Sequence, residues 1–491
     1  MIRVHYFCTF RPGVYFRFLL MRISPAICAA RSTINLIYFG SDAYSLAHLR
    51  SLQESAVCGD FPALYVKHVV TANDRTPVAH YCKEVHYTYS TWPRHNASSA
   101  NDLVVRIQDM ISSCKPVNLL GLVISFGRRL PPKLISAFPN GCINVHPSLL
   151  PRWRGPCPLF HTLLAGDRVT GITVIRLSSE EHVLDSGPVL YQRSLRLLPE
   201  PLTTWQLTQH LIPHSIEAMY EVLRNPQSIS LDYAPPTQTE IANRTGLTNC
   251  HASHLTPEMS YIDWEQQSAG DIVRLWHAFE GTAISLRTQM SISRTIGRED
   301  SCAQLYLSGH APLVVPSVVD QPVTDPQTKV DSQLHEAAYL LAAMPESFPH
   351  GGLVYLRSQW NPSHHLLPFA FVSCKPESEL SPQPESQRSW LAISSVKVRW
   401  PGSSRPDLRL LTALDLFNGY LKELPSLRLS SPHRVPQGCH LFNGFSSSTN
   451  PFWPPPKPWT VLTEPVLLPG SIVHKSCVPS HIVDCRRCSD V

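Results

Sequence analysis

Two nearly continuous apolar runs stand out in the first third of the chain. Residues 117–127 read VNLLGLVISFG, and residues 141–146 repeat the shape on a smaller scale as GCINVH. Apolar runs of this length without a helical period are typical of strands buried on both faces of a parallel sheet. We therefore predict a buried parallel strand in each run.

Strand-like and helix-like segments alternate over residues 34–224. The first strand candidate begins at Ile34, closes on Gly40 and turns into a helix near Ser45–Ser51. Alternation of this kind predicts an α/β fold with a doubly wound, mostly parallel sheet. The first turn lacks the G-x-G-x-x-G pattern, so a nicotinamide or flavin cofactor has no support. The other candidates are the strands Ala63–Thr71, Leu119–Ser125, Cys142–His146, Gly171–Leu177 and Pro188–Arg193, and the helices Ala100–Ser112, Pro158–Ala165 and Thr203–Val222.

The pattern changes twice in the rest of the chain. Residues 225–257 are polar and rich in Pro, which is typical of an interdomain linker. Residues 258–279 contain a helix candidate, and the short apolar segments after it predict a small β-barrel. From residue 425 Ser and Pro dominate, so residues 425–491 are predicted to be a disordered tail. The barrel segments are Ala311–Val319, Gly352–Leu356, Leu366–Val372 and Trp390–Trp400.

Composition limits the number of domains and the kinds of partner, but it does not indicate a function. A chain of 491 residues with 43% hydrophobic content can form two to four packed domains. The formal net charge of +5 is too small to indicate a nucleic-acid partner. The 14 cysteines lack regular spacing, which favours reduced thiols over a disulfide framework. No apolar stretch is long enough to span a bilayer, so no membrane partner is expected.

The first residues of the chain are basic. Five arginines and no Asp, Glu or Lys precede Asp42. Such a segment is typical of a mitochondrial transit peptide, which we place over residues 1–33. The small residues around Ala26–Ala30 would also suit a secretory signal, but Arg17 and Arg22 interrupt its apolar core. A basic tail with no targeting role is the remaining alternative.

Candidate chemistry lies where the second apolar run ends. The two-residue period of a strand places Asn144 and His146 on the same side, at the carboxyl end where open α/β sheets bind ligands. An amide can donate to a developing oxyanion, and an imidazole can donate a proton or carry charge beside it. A carboxylate is still needed to fix the imidazole, and Asp185, in a turn between two strand candidates, is the best candidate. Taken singly, these three residues are also ordinary choices for a strand end, a core histidine and a turn.

Together with their neighbours, these residues form a long signature. Residues 144–156 read NVHPSLLPRWRGP, residues 171–174 read GITV, and residues 185–192 read DSGPVLYQ. This signature resembles that of the 10-formyltetrahydrofolate-dependent formyltransferases. The resemblance implies Asn144, His146 and Asp185 as catalytic residues, and Ser148, Leu149, Leu150 and Pro151 as the lining of the folate site. It implies 10-formyltetrahydrofolate as formyl donor, tetrahydrofolate as product and no metal.

Segments further along the chain resemble one branch of that family, the mitochondrial methionyl-tRNA formyltransferases. They are YAP at 233–235, YIDWEQ at 261–266, IVRLWHAF at 272–279 and LTALDLFNGYL at 411–421. The branch implies initiator methionyl-tRNA as acceptor, a monomer and the mitochondrial matrix. It also implies a Rossmann-like domain over 34–224, followed by an OB-like tRNA-binding barrel over 258–424.

Several alternatives remain open. The acceptor could be glycinamide ribonucleotide or an amino sugar, although the second domain argues against a stand-alone ribonucleotide enzyme. A non-catalytic tRNA-binding relative is another possibility. Lys397 and Arg399 share a strand face and, with Arg405 and Arg409, could contact phosphates, but a solvated strand face has the same pattern. Arg152 and Arg154 could meet a ligand anion or serve the loop itself. The spacing of His474, Cys477, His481, Cys485 and Cys488 only hints at zinc.

Overall fold

The structure is a computed structural model. It describes residues 33–58, 64–93, 97–113, 118–178, 184–197, 202–292, 301–316, 329–342, 344, 348, 350–356, 358, 365–376, 388–399, 409–416, 418, 442–443, 457 and 459–461. The predicted transit peptide, the hinted zinc ligands and most of the predicted tail lie outside the described residues. No helix among the described residues is long and apolar enough to cross a membrane.

Seven strands form the first sheet, in the order β3-β2-β1-β4-β5-β6-β7. The first five run parallel, and the last two pair antiparallel to the strand before them. The mostly parallel sheet and its predicted strands are confirmed, and one short strand, β3, was not predicted. The strands are β1 Ile34–Gly40, β2 Leu64–Thr71, β3 Tyr89–Thr91, β4 Leu119–Ile124, β5 Cys142–His146, β6 Val169–Arg176 and β7 Val189–Arg196.

Helices cover both faces of this sheet, as in Rossmann-like folds. Leu36 and Tyr38 of β1 pack into one buried cluster, whereas Ile37 and Phe39 pack into the cluster on the opposite face. The alternation follows from the two-residue period of a strand and explains why β1 reads as a continuous apolar run. The helices are α1 Ala43–Cys58, α2 Pro77–Glu84, α3 Ala97–Ser113, α4 Pro132–Ile135, α5 Pro158–Leu164 and α6 Thr204–Arg224.

The segment predicted as a linker packs closely against the first sheet. It contains two short helices, α7 Pro226–Ile229 and α8 Gln238–Thr245, and a 3-10 helix over Pro257–Ser260. The carbonyl oxygen of Pro236 accepts a hydrogen bond from Val189 N on the edge strand β7, at 2.9 Å. A capping box of Thr237 and Glu240 begins α8. Polar residues here therefore serve as caps and anchors, which composition alone does not distinguish from a free linker.

The second unit consists of two antiparallel sheets and two longer helices. One sheet has the strand order β10-β13-β12-β11, the other β15-β14-β9-β8-β16. A single residue, Ser394, separates β13 from β14, so one nearly continuous chain passes between the sheets. The predicted helix is confirmed as α9 Ala269–Phe279, whereas α10, β8 and β9 were not predicted. The other elements are β8 Arg287–Ile292, β9 Ser301–Leu307, β10 Leu313–Val314, α10 Lys329–Leu341, β11 Leu353–Val354, β12 Ala370–Cys374, β13 Ser389–Ile393, β14 Ser395–Arg399, β15 Leu410–Thr412, α11 Ala413–Leu416 and β16 Phe442–Asn443.

Parts of the predicted disordered tail are ordered in the structure. Strand β16 pairs with β8, and Trp459 packs against the first domain. The structure thus describes these few residues in packed positions, and the disordered tail over 425–491 stays a prediction. Ser and Pro content lowers the drive to fold on its own, but an aromatic residue in such a segment can still dock into a preformed apolar slot.

A buried histidine makes the first domain sensitive to acid. His48 lies between α1 and α6, where Nδ1 meets Tyr44 O and Nε2 meets Ser215 Oγ, both at 2.9 Å. Burial lowers the pKa of His48 to about 4. The unfolded chain, with an ordinary His pKa of about 6.5, binds this proton first, so stability present above pH 6.5 is lost as pH falls towards 4.

We therefore expect His48→Gln to weaken the pH dependence of stability. Between pH 7.5 and pH 5 the wild-type chain should lose about 2 kcal/mol more unfolding free energy than the variant, as measured by urea titration. His80, which is exposed, provides the matched control His80→Gln. Equal pH dependence in all three proteins would contradict the assignment.

Candidate active site

The candidate site begins at the carboxyl end of β5. Asn144 and His146 lie two residues apart on this strand and are buried, with 9% and 4% of their surfaces exposed. Strand β5 lies beside β4, whose other neighbour is β1. The strand order reverses at β1 and β4, which is where open α/β sheets bind ligands at the carboxyl edge. The site therefore lies one strand away from this switch point.

Asp185 completes the cluster that the sequence predicts. Its Oδ1 accepts a hydrogen bond from Asn144 Nδ2 at 2.9 Å, and its Oδ2 lies 3.7 Å from His146 Nδ1. The backbone at Asp185 is left-handed, with φ +54°. Asp tolerates this conformation better than most residues, and here it turns the carboxylate back towards β5. The structure thus brings all three predicted catalytic residues together.

Two residues that the sequence analysis did not select hold Asp185 in place. Gly155 N donates to Asp185 Oδ2 at 3.1 Å, and Gln238 Nε2 donates to the Asp185 carbonyl oxygen at 2.7 Å. Gly155 has φ +118°, and a Cβ there would lie 2.6 Å from Ala252 O. Only glycine fits this position without displacing the neighbouring backbone. The capping box that begins α8 was the one sequence signal that pointed towards Gln238.

A backbone carbonyl fixes the orientation of His146. Its Nε2 lies 2.9 Å from the carbonyl oxygen of Trp153. Because a carbonyl oxygen can only accept, Nε2 carries a hydrogen. In the neutral ring Nδ1 is then an acceptor that faces a second acceptor, Asp185 Oδ2. A proton on Nδ1 makes the ring an imidazolium, which pairs with the Asp185 carboxylate. The geometry is therefore suited to an ion pair between a protonated His146 and Asp185.

The four residues predicted to line a folate site form a tightly bonded loop. Ser148, Leu149, Leu150 and Pro151 are all buried. Thr173 Oγ1 donates to Ser148 O at 2.6 Å, and Gln192 Nε2 donates to Leu150 O at 2.8 Å. The side chains of Leu149 and Leu150 belong to an apolar cluster beneath the loop. In the structure these residues shape the loop beside His146, and their contact with folate stays a prediction.

Comparisons with known proteins agree with this geometry. Residues 57–223 match the formyl transferase family, and this range contains Asn144, His146 and Asp185. The chain is 28% identical over 409 residues to a mitochondrial methionyl-tRNA formyltransferase of Rattus norvegicus, covering 82% of both chains. It is 31% identical over 258 residues to the Homo sapiens protein of that name, covering 52% of this chain and 58% of the relative. Residues 57–223 therefore form a formyl transferase domain.

A solved sugar N-formyltransferase from Shewanella is also similar to this chain. The two are 14% identical, with a TM-score of 0.40, over 57% of this chain and 98% of the other. This likeness is slight, and the description of the formyl transferase domain rests on its own strand order.

Arg152 supports the formyl transferase domain from within and is not available to a ligand. Its Nε and Nη2 donate to the two oxygens of Asp167 at 2.9 and 2.7 Å, and only 2% of its surface is exposed. Trp153 Nε1 donates to the same carboxylate at 2.8 Å. Arg154 Nε donates to Gln238 Oε1 at 2.7 Å. The structure therefore favours a structural role for both arginines over direct recognition of an anion.

Gly127, three residues after the end of β4, is exposed. A Cβ at Gly127 would meet no atom within 4 Å. Ser125 Oγ donates to Asp42 Oδ2, which links the end of β4 to the turn after β1. Polar groups thus border the carboxyl edge of the sheet where β1 and β4 lie side by side. Among the described residues no group of three His, Cys, Asp or Glu side chains could hold a metal ion.

Proposed function

We propose that this formyltransferase transfers the formyl group of 10-formyltetrahydrofolate to the α-amino group of methionyl-tRNA. The observation that carries the proposal is the convergence of Asn144, His146 and Asp185 at the end of β5. The acceptor is inferred from two relatives named methionyl-tRNA formyltransferase, which this chain matches over 82% and 77% of their length. The initiator tRNA is the acceptor we propose, for the start of organellar protein synthesis.

Asn144 and His146 suit the stabilisation of an oxyanion. Attack of the amine on the formyl carbon converts the carbonyl oxygen into an anion in a tetrahedral intermediate. The Asn144 amide has two N–H groups, of which one is bonded to Asp185, and the other has no acceptor among the described residues and can donate to this oxygen. The positive charge of a protonated His146 stabilises the same anion. Preorganised donors in a buried site are effective because they need no reorganisation during the reaction.

Asp185 suits the transfer of the amine's proton. The new bond joins the methionine nitrogen to the formyl carbon, and the bond from that carbon to folate N10 breaks. The attacking amine must lose one proton, and N10 must gain one as it leaves. Asp185 accepts the proton, directly or through a water molecule, and delivers it to N10, while its interaction with His146 keeps the imidazolium in place. No net proton is gained or lost by the chain.

The folate side of the proposal rests on the loop after β5 and the end of β4. We place the donor between residues 148–151 and the end of β4, because β4 pairs with β5 and its Val123 lies opposite Asn144. Backbone groups of the loop are the proposed contacts, because the Leu149 and Leu150 side chains point into the apolar cluster. The reaction as proposed uses no metal.

The second unit, which we propose to be an OB-like barrel over 258–424, carries a face suited to RNA. Tyr306 of β9 lies opposite Arg287 of β8 and Lys397 of β14, and directly opposed residues share one face of a sheet. The Arg287 guanidinium lies 5.5 Å from the Tyr306 ring centroid. Arg399 lies on the same face and is exposed. We call Arg287, Tyr306, Lys397 and Arg399 the cationic stripe.

The opposite face of these strands is apolar and closes the core. Leu305, Leu307 and Val396 belong to the cluster that also contains Trp264. The stripe therefore lies outside this apolar core, and it combines cations for phosphates with an aromatic ring on which a base can stack. This arrangement favours RNA contact over an ordinary solvated strand. Arg405, predicted to join it, lies outside the described residues.

The stripe predicts a salt-dependent interaction with tRNA. Lys397→Ala and Arg399→Ala should each raise the KM for methionyl-tRNA and reduce the slope of log KM against log salt by about one unit, because each removes one phosphate contact. Lys133→Ala, an exposed cation on the first domain, is the matched control. A wild-type salt slope in both stripe variants would remove the stripe from the tRNA interface.

For the whole chain we propose a monomer that acts in the mitochondrial matrix after removal of residues 1–33. The mitochondrial names of its relatives support the organelle. Residues 225–257 connect the two domains in this proposal and also brace the site through Gln238.

The function is tested by formylation of purified methionyl-tRNA with 10-formyltetrahydrofolate. Uncharged tRNA and glycinamide ribonucleotide serve as competing acceptors in the same assay. We expect formyl transfer to charged tRNA alone, because only this substrate offers both an α-amino group and a polyanion for the stripe. Transfer to the ribonucleotide instead would establish the alternative acceptor, and folate binding that is absent by calorimetry would establish a non-catalytic protein.

A further inference from the structure

A short segment that follows the second unit docks on the first domain behind the site. Trp459 N donates to Asp167 Oδ1 at 2.7 Å, and Trp459 O accepts from Arg168 N at 2.8 Å and from Val169 N at 3.2 Å. The carbonyl oxygen of Lys457 accepts from Arg152 Nη2 at 3.0 Å. Both main-chain groups of Trp459 are thus used, which fixes the segment at the point where β6 begins.

The Trp459 side chain fills the apolar space beneath the loop after β5. It packs against the cluster that contains Leu149, Leu150, Ile241 and Leu247. Its indole nitrogen is buried and has no acceptor among the described residues. The ring therefore acts through its shape and apolar surface, and the polar contacts of the segment come from its backbone.

A chain of direct contacts joins this segment to His146. Asp167 accepts from Trp459 N and from Arg152 on one side and from the Trp153 indole on the other. The carbonyl oxygen of Trp153 then holds His146 Nε2 at 2.9 Å. The Trp153 backbone is left-handed, with φ +66°, a conformation that a non-glycine residue adopts only when its surroundings enforce it.

We infer that Trp459 is a positioning residue for His146. The docked segment bonds to both Asp167 and Arg152. These contacts hold the loop that contains Trp153, so that its carbonyl oxygen stays in the position that orients the imidazole. This inference rests on the proposed function, because it assigns His146 its role in formyl transfer. It gives the region after the barrel a part in the chemistry of the first domain, far from it in sequence.

The test uses the full-length chain and substitutions of Trp459. Trp459→Ala should lower kcat about tenfold to a hundredfold, since small displacements of a catalytic group have effects of this size. The KM for methionyl-tRNA should stay within about twofold, because the segment does not lie on the cationic stripe. Trp459→Phe should restore most of kcat, because the indole nitrogen has no acceptor among the described residues. Val461→Ala, an exposed position in the same segment, is the matched control.

A peptide provides a readout that a merely stabilising contact would not show. A synthetic peptide of residues 451–465, added in excess, should displace the weakened segment of the Trp459→Ala variant and raise its kcat, and the same peptide with alanine at position 459 should not. The melting temperature is measured beside kcat in each case.

The outcomes separate the two proposals. A folded Trp459→Ala variant with wild-type kcat would overturn the positioning role while leaving formyl transfer intact. A loss of kcat that follows the melting temperature and is not restored by the peptide would reduce the segment to a structural support and overturn the role as well. A wild-type chain without formyl transfer would overturn the proposed function and this role with it, whatever the peptide binds.

Discussion

Alanine at Asn144, at His146 or at Asp185 is expected to lower kcat by about a hundredfold or more, which is the usual effect of removing one preorganised oxyanion donor. Each substitution removes a different part of one hydrogen-bonded cluster: the amide donor, the imidazole and the carboxylate that both contact. The KM values should change less than kcat, because these contacts strengthen as charge develops. Single-turnover formylation of methionyl-tRNA measures the chemical step.

Matched controls are available outside the site. Asp232→Ala and His80→Ala remove an exposed carboxylate and an exposed imidazole and should leave kcat unchanged. Because the three residues act as a unit, the kcat of the double variant of Asn144 and Asp185 should be only slightly lower than that of the less active single variant. Full formyl transfer in all three folded single variants would show that the chemistry lies elsewhere.

Asp167→Ala is expected to have the largest effect on stability. Both oxygens of this carboxylate bond to Arg152, and both side chains are almost completely buried, with 1% and 2% exposed. The substitution leaves a guanidinium without its counter-ion in the interior, which costs about 3–5 kcal/mol. The Trp153 indole N–H and the backbone N–H of Trp459 also lose their acceptor. The midpoint of urea unfolding, followed by tryptophan fluorescence, measures the loss.

The comparison is an ion pair at the surface. Arg193 and Glu217 approach to 2.6 Å, but their side chains are 29% and 49% exposed. Glu217→Ala should therefore change stability by less than about 1 kcal/mol. If Asp167→Ala and Glu217→Ala shifted the urea midpoint equally, the buried network would not be the support that the structure indicates.

The first sheet could be predicted from the sequence because each strand carries its own signal. Cys142–His146 was predicted with both ends correct, since an apolar run begins after one glycine and ends at a proline. The predictions failed where the signal was not local. Tyr89–Thr91 is a three-residue edge strand with little apolar content, and Arg287–Ile292 alternates polar residues on the cationic face. Both strands are defined by their partners rather than by their own composition.

The site was predictable only in part. Asn144 and His146 follow from the period of a strand and Asp185 from its turn between two strand candidates, whereas their joint catalytic role is implied only by the family signature. Gln238 and Gly155 hold Asp185 through contacts that span 53 and 30 positions of the chain. Contacts of this kind depend on how separate elements pack, and no spacing in one sequence indicates them. The docked segment is the extreme case, since its Lys457 carbonyl contacts Arg152 across 305 positions.

The bond between His146 and Trp153 has a consequence for how the site can be altered. The acceptor is a main-chain carbonyl, which every amino acid at position 153 would supply. A scan of substitutions at this position would report on the indole and its contact with Asp167, and would miss the group that sets the tautomer. A change in loop length between residues 146 and 153 would move that carbonyl, whereas no exchange of a side chain would remove it. The proton on His146 Nε2 is thus fixed by the backbone path between residues 146 and 153 and not by any one side chain.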